Sequence, residues 1–346
     1  MFDFTPDPIA LQLGPFTVFW YGIGYALGLA AAYLVMSREA RRRGHDAEIL
    51  ANGLIVVAIA ALIGGRAYHV IDQWQNLYAA DPIKVFLPPY TGLGVYGGLI
   101  TGTIAAFLYA RWRHASFWTW TDIVAPGLFT MQAIARWGNF FNQELYGPPT
   151  NLPWGIAIQC EHRIAQYACP AGSPPTATLG EHFQPLFLYE SLAGLLGLVV
   201  LLILARRYAD RLRTGQLLAF FFIWYGIVRF ALETLRADNW TFFGIPTAQI
   251  FSSLFILAGV AIFLLRGRGA PTLAAVDAEA TAARAAHAER LAPPAAIEAA
   301  PVTMPGPASV SEPEPEPEPQ PGAPAPSEPD AEPDAQPFAE PGPPQP

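Results

Sequence analysis

ARWGNFFNQELYG (135–147) follows directly on an apolar run, yet it crowds Arg136, Asn139, Asn142, Gln143 and Glu144 into one short stretch. Whether that run is a membrane helix, with these polar groups at its rim, is decided by the rest of the chain. Of the 346 residues 52% are hydrophobic and 14% charged, far too apolar for an ordinary soluble protein. The formal charge of −8 is unevenly spread. Residues 1–269 hold 18 Lys/Arg and 15 Asp/Glu, whereas residues 270–346 hold 2 and 13. The acidic balance therefore belongs to the C-terminal segment and carries no information on a substrate of the body. No nucleic-acid partner is expected.

Crossing a hydrocarbon core of roughly 30 Å takes about 20 apolar residues in a helix. Seven stretches qualify, at 15–37, 47–74, 92–113, 119–137, 184–207, 214–234 and 246–266. The first residues lack a basic region and a small-residue cleavage site, so no cleaved signal peptide is expected. Alternate connections carry SREARRR (37–43), RWRH (111–114), ARRYADRLR (205–213) and RGR (266–268), twelve arginines in all. The opposite connections carry only Lys84, Arg163 and Arg236. Lys and Arg collect on the cytoplasmic side, so the N-terminus is expected outside, the C-terminus inside, and the 138–183 connection outside. The fold class is an all-α integral membrane protein: a seven-helix domain over 1–269 and a cytoplasmic tail over 270–346.

That tail is rich in Pro, Ala and Glu and includes EPEPEPEP (312–319). It cannot bury enough apolar surface to offset its ordering entropy, so it reads as disordered, with room for a short helix near 277–291. Cys160 and Cys169, the only cysteines, lie in the external connection. An oxidising exterior permits a disulfide there; two free thiols are the alternative. No metal-ligand spacing is present.

Charged side chains within a bilayer are costly. Arg66, Arg136, Glu190, Arg229 and Glu233 all thread into the outer half of the spans, and Tyr21 and Tyr96 start spans at that same depth. Taken singly, each has a structural reading. Arg136 can snorkel, Arg229 and Glu233 suit an ion pair four residues apart, and Glu190 suits a helix N-terminus. The tyrosines fit an aromatic belt, and the glycine pairs 64–65 and 97–98 fit close helix packing. Together, three arginines at one depth read as an anion site, because guanidinium grips phosphate through a planar, permanently charged fork. The anion at that depth in a membrane is a phospholipid headgroup.

RWGNFFNQELYG (136–147) resembles the signature of the bacterial phosphatidylglycerol–prolipoprotein diacylglyceryl transferase family, R-x-G-N-F-x-N-x-E-x-x-G. FWYG (19–22), GGR (64–66), GVYGG (94–98), LYES (188–191) and YGIVRFALETLR (225–236) follow the family's order across residues 15–266. The resemblance implies a multi-pass enzyme of the bacterial inner membrane, with its site toward the outer leaflet. It would move the diacylglyceryl group of phosphatidylglycerol to the lipobox cysteine thiol of a prolipoprotein, forming a thioether and releasing glycerol 1-phosphate. No cofactor and no metal are implied. Carried over, Arg136 and Arg229 bind the lipid phosphate and stabilise the leaving group. Tyr21, Asn139, Glu144, Gly147 and Glu233 match other family positions, with Glu144 and Glu233 as catalytic candidates that orient the arginines or receive a proton, while Arg66 and Glu190 join the lipid site.

The chain departs from the family at Tyr96, where many members place a histidine considered for deprotonating the thiol. A phenol is a weaker base near neutrality, so the proton acceptor is expected to be Tyr96 or His69, which follows Arg66 by three residues. A member without activity is the alternative that this departure suggests. An anion or lipid transporter would need polar residues through the inner halves of the spans, yet AAAYLVM (30–36) and GLLGLVVLLILA (194–205) are apolar.

Overall fold

Each stretch expected to span a membrane is a helix in the computed structural model, which describes residues 1–14, 16–85, 92–236, 239 and 241–291. The helices are α1 (Trp20–Arg42), α2 (Ala47–Asp72), α3 (Val95–Trp112), α4 (Phe117–Ala135), a short α5 (Trp137–Phe141), α6 (Leu186–Arg207), α7 (Gln216–Glu233), α8 (Thr247–Arg266) and α9 (Leu273–Leu291). Among them α1, α2, α6, α7 and α8 are long and apolar enough to cross a membrane. Their outward faces carry exposed side chains such as Leu29, Ile59, Leu196 and Leu257. Apolar surface on that scale suits lipid rather than water.

Of the seven expected spans α3 and α4 fall outside that set, α4 for a physical reason. It contains Asp122, three threonines, Gln132 and Pro126. It also packs against α1, α6 and α7, and its Ile123, Ala125 and Phe129 are 0% exposed. A helix largely enclosed by other helices offers its inward-facing polar residues protein partners in place of lipid. Asp122 has three: its carboxylate accepts from the backbone N–H of Gly215 at 2.6 Å and of Leu217 and Leu218 at 3.0 Å. These are orphan donors at the start of α7, and Asp122 satisfies them from a neighbouring helix.

α2 and α3 approach through their glycine pairs. A Cβ on Gly97 would overlap the Gly64 carbonyl oxygen, and one on Gly64 would overlap the Thr101 side chain. Thr101 Oγ1 donates to the Ala60 carbonyl at 2.8 Å, fastening the contact. The packing reading of those glycines therefore accounts for both pairs.

Three boundaries differ from expectation. α1 starts at Trp20 rather than 15, because β1 (Ile9–Leu13) and β2 (Phe16–Phe19) pair as an antiparallel hairpin ahead of it. α4 stops at Ala135, and α5 follows Arg136 as a separate turn. Residues 270–291, expected to begin a disordered tail, continue the body, whose compact unit runs from Met1 to Ala292. Leu273, 1% exposed, joins a core cluster with Ala125, Phe129, Leu201 and Leu217, and Arg43 pairs with Asp277 at 2.9 Å. A buried leucine, an ion pair and backbone hydrogen bonds from Leu273 and Ala274 to Leu212 and Ala209 thus dock a helix that composition alone marks as solvated. The remainder of the expected tail, 292–346, lies outside the described residues.

The 138–183 connection is a small folded lobe. β3 (Ile156–Ala157) pairs with β4 (His182–Phe183) over a cluster of Tyr146, Ile156, Ile158, Phe183 and Phe187. Cys160 and Cys169 are bridged, with Cα atoms 5.5 Å apart. The N-terminus docks here: the Met1 amino group donates to the Pro153 carbonyl at 2.6 Å, and Phe2 bridges Ile156. A third hairpin, β5 (Thr241–Phe242) with β6 (Ile245–Pro246), precedes α8.

Candidate active site

Arg136 occupies the residue between α4 and α5, so the break in the helix presents its side chain at the bundle's rim. The following residues are turned sharply: Gln143 and Leu145 have φ of 52° and 59°, left-handed values costly for non-glycine residues. That cost is offset by hydrogen bonds. Buried Gln143 donates to the Pro6 carbonyl and to Gln159 Oε1 at 3.2 and 2.6 Å, and accepts from Gln159 N at 2.9 Å. Leu145 O accepts from Phe187 N at 3.1 Å. The turn brings Glu144 back over α5, where its Oε1 accepts from Asn139 Nδ2 at 2.9 Å and Asn142 Nδ2 at 3.2 Å.

A charge cluster lies beside this turn. Glu190, on α6 and 1% exposed, holds one oxygen 2.6 Å from Arg136 Nε and the other 3.1 Å from an Arg229 terminal nitrogen. Arg229, on α7, uses its second terminal nitrogen on Glu233 at 2.8 Å. Both of Arg229's terminal nitrogens are therefore engaged by carboxylates. Arg136 is different. It is 27% exposed and approaches Glu190 most closely through Nε, and among the described residues neither of its terminal nitrogens makes a hydrogen bond. Such a fork, aimed by a buried carboxylate, can receive a doubly hydrogen-bonding anion. Among the described residues no group of three His, Cys, Asp or Glu could hold a metal ion.

Tyr21, in the first turn of α1, borders the same region. Its hydroxyl donates to the Tyr25 hydroxyl at 3.1 Å, and its charge environment includes Glu144 and Arg136. A Cβ on Gly138 would lie 2.9 Å from its ring, so the glycine is what admits Tyr21 against α5. Tyr21, Asn142, Glu144 and His162 line an open cavity of about 780 Å³, together with residues of the β1–β2 hairpin.

The structure thus brings Arg136, Glu190, Arg229 and Glu233 into one ion cluster, and Tyr21, Asn139 and Glu144 to its flank. Gly147 lies in the supporting wall: its N–H donates to Gln184 O at 2.8 Å, and a Cβ would meet Leu186 and the Leu235 carbonyl at 3.2–3.3 Å. Arg66 donates to the Val85 carbonyl at 3.2 Å and stands over the Tyr78 ring, in the connection after α2. Tyr96 stacks on Phe251 with ring centroids 4.8 Å apart, and His69 meets Tyr78 edge-on at 6.2 Å. Neither Tyr96 nor His69 lines the cavity beside Glu144.

Two residues with a place here escape the sequence reading. Tyr225, one turn before Arg229, lies within electrostatic reach of Arg136, Glu190, Arg229 and Glu233. Its position four residues before a membrane arginine was the available signal. His162 had none, since only the folded lobe carries it to the cavity.

A family model described as prolipoprotein diacylglyceryl transferase matches residues 8–265. A phosphatidylglycerol–prolipoprotein diacylglyceryl transferase of Halalkalibacterium halodurans is 38% identical over 261 residues, covering 75% of this chain and 86% of that protein. One of Streptococcus uberis is 36% identical over 264 residues, covering 76% and 96%. A relative of the same name from Trichormus variabilis is 35% identical over 273 residues, covering 77% and 93%. With the match spanning the bundle, the signature turn and both arginine-bearing helices, the chain belongs to the prolipoprotein diacylglyceryl transferase family.

Proposed function

We propose that this protein transfers the diacylglyceryl group of phosphatidylglycerol to the cysteine thiol of a prolipoprotein lipobox, with release of glycerol phosphate. The observation that carries this reading is the Arg136 guanidinium, partly exposed, held at Nε by buried Glu190 and without a hydrogen bond from its terminal nitrogens among the described residues. Attack of the thiolate on the glyceryl carbon forms a C–S bond and breaks the C–O bond to phosphate, whose oxygen leaves with the electron pair. The developing charge is met by Arg136, with Arg229 behind it, in a setting arranged before the reaction begins. Glu190 and Glu233 act as positioning residues. A carboxylate already bound to two arginines orients them and does not itself meet the phosphate. Asn139, Glu144 and Tyr21 form the wall from which the acceptor approaches, and Gly147 lets that wall close against α6 and α7.

In this reading α1 to α4 and α6 to α8 are seven spans of the bacterial inner membrane. The arginine-rich ends are cytoplasmic, and the Arg136 site opens to the outer leaflet. Phosphatidylglycerol then enters laterally, and the prolipoprotein signal helix lies in the bilayer with its cysteine at the outer surface. The test is incubation of the purified protein with phosphatidylglycerol vesicles and a lipobox peptide. The peptide gains the mass of one diacylglyceryl group, and Arg136→Ala and Arg229→Ala each slow this by about 10²–10³-fold. A wild-type chain that leaves the peptide unmodified sinks the reading.

A further inference from the structure

The transfer needs a group to take the thiol proton, and imidazole is the side chain best suited to that near neutral pH. The chain has six histidines. His45 faces Asp277, His114 follows α3, and His287 lies on α9, all on the arginine-rich side. His182 is paired with Asp3 at 2.8 Å, and His69 packs against Tyr78. His162 alone lines the cavity that also holds Glu144, Asn142 and Tyr21.

Its backbone is held from several directions. The Tyr146 hydroxyl donates to His162 O at 3.2 Å and accepts from Ile164 N at 2.7 Å. The turn Cys160–His162 is tethered by the Cys160–Cys169 disulfide, by Cys160 N donating to Ala177 O at 2.8 Å, and by Glu161 N donating to Pro175 O at 3.0 Å. Arg163, its side chain 1% exposed, locks the next residue through Glu181 and the Ile158 and Thr178 carbonyls. The ring itself is 29% exposed, and its ion-pair partner is Glu161 at 3.7 Å, longer than a hydrogen bond. A rigid backbone thus presents a lightly engaged imidazole to the cavity. The titratable groups around it are Glu161 on its own turn, Tyr146 beneath it, and Glu144 and Tyr21 across the cavity.

We propose that His162 is the proton acceptor for the lipobox thiol. This rests on the transfer reading above. The imidazole takes the proton from S–H, and the thiolate forms the C–S bond as the C–O bond to phosphate breaks. The imidazolium then returns the proton to the departing phosphate monoester or to water. Atoms and charge balance without a further reactant.

The experiment measures transfer to a lipobox peptide from phosphatidylglycerol vesicles across pH for wild type, His162→Gln and His162→Ala. Only neutral imidazole accepts a proton, so the wild-type rate should fall toward acid pH. His162→Gln is expected to be about 100-fold slower and to lack that limb, and added imidazole should restore activity to His162→Ala. Unchanged rates in both variants overturn the proposal. So does a slower His162→Gln that keeps the wild-type pH profile with no rescue by imidazole, the pattern of a merely structural residue. Wild type with no transfer at any pH overturns the transfer reading itself, and the His162 assignment with it.

Discussion

Glu190 lies 2.6 Å from Arg136 Nε at 1% exposure, and its other oxygen reaches Arg229 at 3.1 Å. One buried carboxylate therefore sets the direction of two guanidinium groups carried by different helices. Removing one member of a buried charge set leaves the others uncompensated, which costs about 3–5 kcal/mol. Glu190→Ala is expected to lower stability by that amount in detergent thermal unfolding. Glu190→Gln keeps the shape and an acceptor oxygen, so it should fold while losing roughly 10²-fold in transfer rate through misdirected arginines. A Glu190→Gln protein with wild-type kinetics would show that the arginines need no such guide.

Gly97 is the tightest test of the α2–α3 seam. Its missing Cβ would overlap the Gly64 carbonyl oxygen, a backbone atom that cannot rotate away. Overpacking of this kind typically costs about 1–3 kcal/mol, so Gly97→Ala should lower the unfolding temperature clearly. Gly22→Ala is the control: a Cβ there meets nothing within 4 Å and the backbone is unconstrained, so its unfolding temperature should match wild type. Equal melting of the two variants contradicts the close approach.

Asp122 should matter for stability and not for chemistry. It is 0% exposed and accepts three backbone N–H groups at the start of α7, the end opposite Arg229. Hydrogen bonds to a charged group contribute about 1.5–3 kcal/mol each, and not additively. Asp122→Ala is therefore expected to destabilise by about 3 kcal/mol or more. The transfer rate per folded molecule should stay at the wild-type level. A folded Asp122→Ala protein with a changed rate would tie this carboxylate to the site.

The helical segments and the polar layer were legible because both are local signals. Apolar length marks a span whatever its neighbours, and an arginine or glutamate inside one stands out at once. Arg136, Arg229, Glu190 and Glu233 were each visible in that way. Their pairing was not: that Glu190 rather than Glu144 bridges the arginines depends on how α4, α6 and α7 are rotated against each other. Asp122 was passed over because its partners are backbone groups 93 or more residues away, which no pattern displays. Tyr96 is singled out by the family pattern and His69 by its spacing from Arg66, whereas the cavity wall is set by how residues 8–22 meet the fold of 138–183. His162 reaches it through a loop whose course depends on a disulfide and a buried arginine. The limit of the tail misled for a related reason, since a buried leucine, backbone hydrogen bonds and an ion pair outweigh a polar composition.

That last contact can be tested. Arg43 is 1% exposed and its Nε lies 2.9 Å from Asp277 on α9, with His45 3.5 Å from the same oxygen. Without Asp277 the buried guanidinium would lose its hydrogen-bonded carboxylate and keep only the longer-range field of Asp122, a penalty of up to about 3–5 kcal/mol that the chain can avoid by releasing α9. Asp277→Ala should therefore speed amide hydrogen exchange and proteolysis across 273–291 and leave the rest of the bundle protected. Arg43 and Tyr21 lie at opposite ends of α1, roughly 30 Å apart by helix rise, so transfer activity should persist. If exchange over 273–291 is already fast in the wild-type protein, α9 is not docked by this pair. If it stays slow in Asp277→Ala, buried Leu273 and the backbone hydrogen bonds from Leu273 and Ala274 to Leu212 and Ala209 hold the helix against the body.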